Sequence, residues 1–293
     1  MSIIPDYTVD ASEVFINFSR QHILHEGLTT LLFAGLEQLR GLGVLELSDE
    51  MSENIFDAPK FLENLSLPTW VPELRLDRIQ PLHRFWMPQT FNAALDLTPA
   101  VVLHKTCPHI IAVRGCVFDT ITHPFPTTIA HNKIERTNDS ELMNYLETLI
   151  YLGFVWRFSK EHYTERGGYP TGEEHDSVFD SVVTASRTTG KLANAAKGQD
   201  PGWIDRMLGI LKRGSEHGFV AISDDFREDP SLQMHVAVFF SCLSFLMCYD
   251  QCVITEEGYM GLAPRISQAG DRIAWINGLQ SFLVLRPITN TSY

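Results

Sequence analysis

No Walker loop, no G-x-G-x-x-G after a strand, no G-x-S-x-G elbow and no H-E-x-x-H pair occurs anywhere in the 293 residues. Each of these patterns exists because a phosphate, a nucleophilic serine or a zinc ion needs those residues at that spacing. Their absence makes nucleotide-driven chemistry and serine hydrolysis poor readings of this chain. Positive charge is also scarce. There are 23 Lys and Arg against 36 Asp and Glu, a formal charge of −13 with no long block of either sign. A field of that sign repels phosphate backbones and anionic lipid, so nucleic acid is not expected as a partner.

The five cysteines, Cys107, Cys116, Cys242, Cys248 and Cys252, are odd in number and contain no CxxC pair, which fits reduced thiols rather than a disulfide framework or a redox couple. The amino terminus, MSIIPDYTVDASEV, has no basic stretch leading into an apolar one. No secretion signal is read, and a cytoplasmic location is expected. The most apolar run, residues 234–248, falls short of the ~20 residues that a membrane-spanning helix requires and reads as a buried core helix. Internal repeats, low-complexity tracts and Pro-, Gly- or Ser-rich linkers are missing as well, and a single domain over residues 1–293 is expected.

What is present is the material of a folded core: 44% hydrophobic residues, with 18 Phe, 8 Tyr and 5 Trp. Asp10 opens D-A-S-E, an N-cap with a glutamate three residues on, and Gly27 closes the periodic run, which predicts a helix over 10–26. Ala11, Phe15, Phe18, His22 and His25 fall on one stripe of that helix. Segments 91–102 and 109–122 are rich in β-branched and aromatic residues and read as strands, with Cys107-Pro108-His109 as the turn between them. Asn138 opens a second capping box, N-D-S-E, before Leu142, Leu146, Leu149 and Trp156 at helical offsets. The loop 165–175, with three glycines and a proline, precedes a helix from about Asp176 to Thr188. Asp200-Pro201 and Asp229-Pro230 each place proline at a first helical position, and residues 251–288 return to strand and turn. Helices and strands come in blocks, which predicts an α+β fold with a largely antiparallel sheet or partial barrel packed with several helices.

An ordered series of short motifs resembles the fungal heterokaryon-incompatibility (HET) family, in the region that follows its effector domain. The series is P-D-Y-T-V-D-A-S-E-V-F from Pro5, L-P-T-W-V-P-E from Leu67, F-N-A-A from Phe91, V-R-G-C-V-F-D-T-I from Val113 and Y-P-T-G-E from Tyr169. It continues as T-E-E-G-Y-M-G-L-A-P from Thr255, G-D-R-I from Gly270 and F-L-V-L-R-P from Phe282. The resemblance implies a role in self/non-self recognition. The effector domain associated with cell death is not expected, since the P-D-Y element stands almost at the start of the sequence, and neither are the strands that usually follow V-L-R-P. Where the family has basic residues before T-E-x-G, this chain has Tyr249, Asp250 and Gln251, and Phe282 replaces the usual proline.

The shared residues read as structural. Gly258, Gly261 and Gly270 suit turns at positive φ, Asp271 is placed to cap turn amides, and Arg286 in an apolar strand is expected to pair with a carboxylate or carbonyls.

Candidate chemistry rests on histidines in apolar settings. His22 and His25 share the first helix's stripe. His235 lies near the start of the most apolar segment, and Asp250 follows its far end. These four are the candidate catalytic residues. His104, Cys107 and His109 offer three metal ligands within six residues but no fourth, and they read as a polar turn with no metal. The aromatic content, including His83, Arg84, Phe85 and Trp86 in sequence, would suit a pocket for an apolar ligand.

The reading that follows is a cofactor-independent isomerase or cyclase of fungal specialised (secondary) metabolism, taking a small apolar metabolite and moving a proton with His or Asp. The alternative is a recognition or regulatory module acting on a HET-type protein partner or on a second copy of itself.

Overall fold

In a computed structural model of the chain, the described residues are 10–28, 31, 70, 71, 97–126, 138–183, 209, 210, 213, 214, 250–279 and 281–287. They carry helices α1 (Ala11–Glu26), α2 (Asn138–Arg166) and α3 (His175–Val183), with strands β1 (Val101–Leu103), β2 (Ile111–Val113), β3 (Gly115–Phe125), β4 (Asp250–Thr255), β5 (Met260–Pro264), β6 (Arg272–Ile276) and β7 (Leu283–Leu285). Strands β1 and β2 form a two-stranded antiparallel sheet, and the other five run in the order β5-β4-β3-β6-β7. The fold is α+β with antiparallel sheets. No helix among the described residues is long and apolar enough to cross a membrane.

The chain divides into two compact units, residues 1–118 with 272–285, and residues 119–271 with 286–293. In the first, α1 begins where the sequence places it: the Asp10 carboxylate accepts the Ser12 amide at 2.8 Å, and Gly27 at φ 85° stops the helix. The buried face differs from the expected one. Ile16, Ser19 and Ile23 are buried, whereas His25 is exposed and His22 half-buried beside Phe18. The stripe through Ala11, Phe15, Phe18, His22 and His25 is therefore corrected. Ile16, Ser19 and Ile23 also stand at helical spacing, but a serine in the middle hides that face from a hydrophobicity pattern.

Ile23 joins Leu28, Leu31, Ala274, Ile276 and Leu279 in one apolar cluster, with Val101, Ile111, Val113 and Leu283 packed on it. The β1–β2 hairpin pairs Val101 with Val113 and Leu103 with Ile111. Its loop is held by the His104 ring, which accepts the Cys107 amide at 3.0 Å, and by Arg20, which donates to the His104 and Pro108 carbonyls.

In the second unit β4 lies between β3 and β5, and Gln251–Thr255 are all buried. Tyr151 of α2 fixes two strands with one hydroxyl, donating to the Phe125 carbonyl at 2.6 Å and accepting the Cys252 amide at 3.3 Å. Burial pushes the Cys252 thiol up to about 12, so it is an inert core side chain. Gly258 and Gly270 adopt the positive φ expected of them, at 92° and 91°, while Gly261 is an ordinary residue of β5.

Arg286 stands just past the end of β7 rather than within a strand, and it has the expected kind of partner, a carboxylate, which is that of Asp271. The guanidinium donates to both carboxylate oxygens at 2.9 Å, and Asp271 also accepts the Gln268 amide at 2.8 Å. Burial works against the charge on Asp271, but the Arg286 and Gln268 hydrogen bonds outweigh it and hold the carboxyl below its ordinary 3.8. A carboxyl lowered in the folded state contributes stability at pH values above its unfolded value, and that stability is lost as pH falls through the folded one. Arg286→Ala removes part of this contribution and leaves a buried carboxylate short of partners, a loss of about 1–3 kcal/mol at neutral pH. Acid titration of the variant by circular dichroism is expected to show a smaller loss of stability from neutral pH to pH ~3 than the wild type shows.

Candidate functional site

Helix α2 presents two chemically different faces. Phe154, Phe158 and His162 recur every four residues and meet β3, where Phe158 lies 5.2 Å from Phe125 and 5.4 Å from His123 between ring centroids. His123 and His162 are edge-to-face at 5.3 Å, and Phe158 stacks on His162 at 6.3 Å with 14° between planes. Phe125 is buried, His123, Phe158 and His162 are half-buried, and Phe154 is 59% exposed. Two imidazoles are thus set in an aromatic bed that is open at one end.

His123 is presented by an irregularity in β3. Ile121 pairs with Thr255 and His123 with Ile254, so the register shifts between them, and such bulges re-aim a side chain that the regular pleat would send elsewhere. Thr122, at the bulge, lies 3.0 Å from His123 Nδ1 and donates to the Ile254 carbonyl at 3.1 Å. Pro124, which has no amide proton for the ladder, follows directly.

His162 Nε2 is shielded from solvent and has no hydrogen-bond partner among the described residues. Burial, then His123, then Arg166 hold this ring below its ordinary 6.5, opposed in part by Glu165. A histidine lowered in the folded state binds its proton less readily there than in the unfolded chain. Stability therefore falls as pH drops below about 6.5 and is unaffected by this group at higher pH. His162→Gln is expected to flatten the dependence of the urea midpoint between about pH 5 and 7; an unchanged slope would assign that dependence to other groups.

The second face of α2 meets α3. Ser159 Oγ lies 2.7 Å from His175 Nε2, His175 Nδ1 lies 3.3 Å from Asp176 Oδ1, and the Trp156 indole donates to the same oxygen at 2.9 Å. The connectivity is that of a serine–histidine–carboxylate relay, but the surroundings do not suit a nucleophile. Ser159 is wholly buried in mid-helix and also donates to the Trp156 carbonyl at 3.0 Å, and both nitrogens of His175 face protein groups. Mid-helix amides are engaged within the helix and supply no oxyanion hole. The network docks α3 on α2.

The candidates drawn from sequence are dispersed. His22 and His25 sit on α1 in the first unit, three residues apart and outside the apolar core. Asp250 is the half-buried first residue of β4 in the second unit, opposite Pro264. His235 lies outside the described residues, as do the helices expected after Pro201, apart from short fragments, and after Pro230. Among the described residues, no group of three or more His, Cys, Asp or Glu could hold a metal ion. The ring of His104 is engaged with its own turn.

The histidines that do come together, His123 and His162, were missed because they lie 39 positions apart on a strand and a helix. One local signal existed: Phe154, Phe158 and His162 at i, i+4 and i+8 form a stripe on α2. No protein-family model, no curated protein and no solved structure matches the chain.

Proposed function

We propose that the chain is a cofactor-independent isomerase or cyclase of specialised metabolism, acting in the cytoplasm on a small apolar substrate by shape and acid/base catalysis. The supporting observation is the pair His123 and His162 set among Phe125, Phe154 and Phe158. Apolar rings there would hold a carbon skeleton by contact, and a neutral imidazole is the side chain best suited to exchange a proton near neutral pH. In this reading the acid/base role passes from the residues singled out by sequence to His123, with His162 as the polar group beside it. The resemblance of its motifs to the HET family supports a fungal setting for this activity.

The test is untargeted mass spectrometry of metabolites from the source organism with and without the gene. Loss of a product together with build-up of an isomer or uncyclised precursor supports the proposal. An unchanged profile under conditions of expression removes it and favours the recognition module. One observation in the first unit speaks for that second reading: Val117, Phe118, Phe282 and Leu285 are large apolar residues 43–51% exposed, with the Phe118 and Phe282 rings 5.5 Å apart. Exposed apolar surface of this kind is what a protein partner covers.

A further inference from the structure

The hydroxyl of Thr122 touches two groups, the Ile254 carbonyl at 3.1 Å and His123 Nδ1 at 3.0 Å. It has one proton to give. A carbonyl oxygen can only accept, so the contact with Ile254 is a hydrogen bond only when Thr122 donates to it. The contact with His123 is then a hydrogen bond only when Nδ1 carries the proton and donates to Thr122. The opposite arrangement, with Thr122 donating to Nδ1, makes one bond and leaves two oxygen lone pairs facing each other at 3.1 Å in a part-buried place, which costs about 1–3 kcal/mol.

We infer that Thr122 is a positioning residue that fixes the tautomer of His123: Nδ1 bears the hydrogen, and Nε2 of the neutral ring bears the lone pair. The chain Ile254 carbonyl, Thr122 hydroxyl, His123 Nδ1 orients the imidazole from behind, as a backbone carbonyl or carboxylate orients a working histidine elsewhere. The bulge in β3 is what brings the three groups into line, since His123 itself is paired with Ile254 there. A free imidazole favours the other tautomer, with the hydrogen on Nε2, so the assignment runs against the intrinsic preference and has a distinctive signature. The catalytic meaning of this device rests on the acid/base role proposed above. The tautomer itself does not.

The experiment is nitrogen-15 NMR of the full chain labelled at histidine, at mildly alkaline pH, with the His123 signals assigned by their loss in His123→Gln. The expected result is a pyridine-type nitrogen at Nε2 and a protonated one at Nδ1. Thr122→Val is expected to move the ring towards the free-imidazole tautomer, and Thr122→Ser, which keeps the hydroxyl, to restore the wild-type pattern. A pyridine-type nitrogen at Nδ1 in the wild type overturns the inference, and so does a Thr122→Val spectrum identical to the wild type's. Should Thr122→Val fail to fold, the wild-type spectrum alone decides. If the spectra come out as expected while His123→Gln leaves product formation intact, the inference stands and the catalytic reading falls.

Discussion

His123→Gln is expected to lower product formation by roughly 10²–10⁴-fold, the contribution that a positioned general acid or base makes. Glutamine keeps the polarity and much of the reach of the imidazole but cannot carry a proton between substrate atoms near neutral pH. His123 is half-buried at the strand surface, so its loss leaves the core of the second unit, Leu152, Val155, Val253 and Ile254, untouched. The assay is conversion of the precursor that accumulates without the gene by purified protein, followed by mass spectrometry. Phe154→Ala separates binding from chemistry: a ring that holds substrate alike in ground and transition states raises KM and spares kcat when removed. Full turnover by His123→Gln would remove this histidine from the site, and full turnover by both variants would remove the whole aromatic cluster.

The second large effect concerns folding. Gly115→Ala places a methyl group 2.2 Å from the Trp275 carbonyl oxygen and 2.9 Å from Ile276 Cδ1. The nearer atom is backbone in β6 and cannot swing aside. The two strands must separate, which strains the Asn277 amide to Arg114 carbonyl bond of 2.9 Å and loosens a cluster that includes Ala274, Ile276 and Leu279. A loss of about 3 kcal/mol is expected, at the upper end of what overpacking costs, seen as a lower urea midpoint by circular dichroism. Gly27→Ala is the control. Gly27 sits at φ 85° and ψ −166°, a conformation essentially confined to glycine, with nothing among the described residues within 4 Å of a Cβ, so its substitution carries only that backbone cost of roughly 1–3 kcal/mol. An unchanged urea midpoint for Gly115→Ala would mean that β3 and β6 can part freely.

Local chemistry made several elements legible in the sequence. Asp10 caps α1 through an interaction two residues away, and glycines ending helices or turning at 258 and 270 need no distant partner to declare themselves. The hairpin about Cys107 was legible from the β-branched residues on either side of the turn, and a carboxylate or carbonyl partner for Arg286 from the apolar residues that precede it, although Arg286 itself stands past the end of β7. The buried side of α1 was not legible, because Ser19 occupies the centre of that face and hydrophobicity alone favours the neighbouring stripe. Nor was the bulge at Thr122. It depends on which residue of β4 stands opposite, 132 positions further along the chain.

The sequence by itself determined the α+β class, the start and stop of α1 and the turn glycines at 258 and 270, since each follows from contacts within a few residues or from composition. Only the tertiary structure decided which histidines meet. His22, His25 and Asp250 were conspicuous one by one, yet the pair that shares an aromatic bed is His123 and His162, joined when α2 lies across β3. Side chains on different elements are brought together by packing, and packing is set by the shapes of whole faces rather than by any short run of residues.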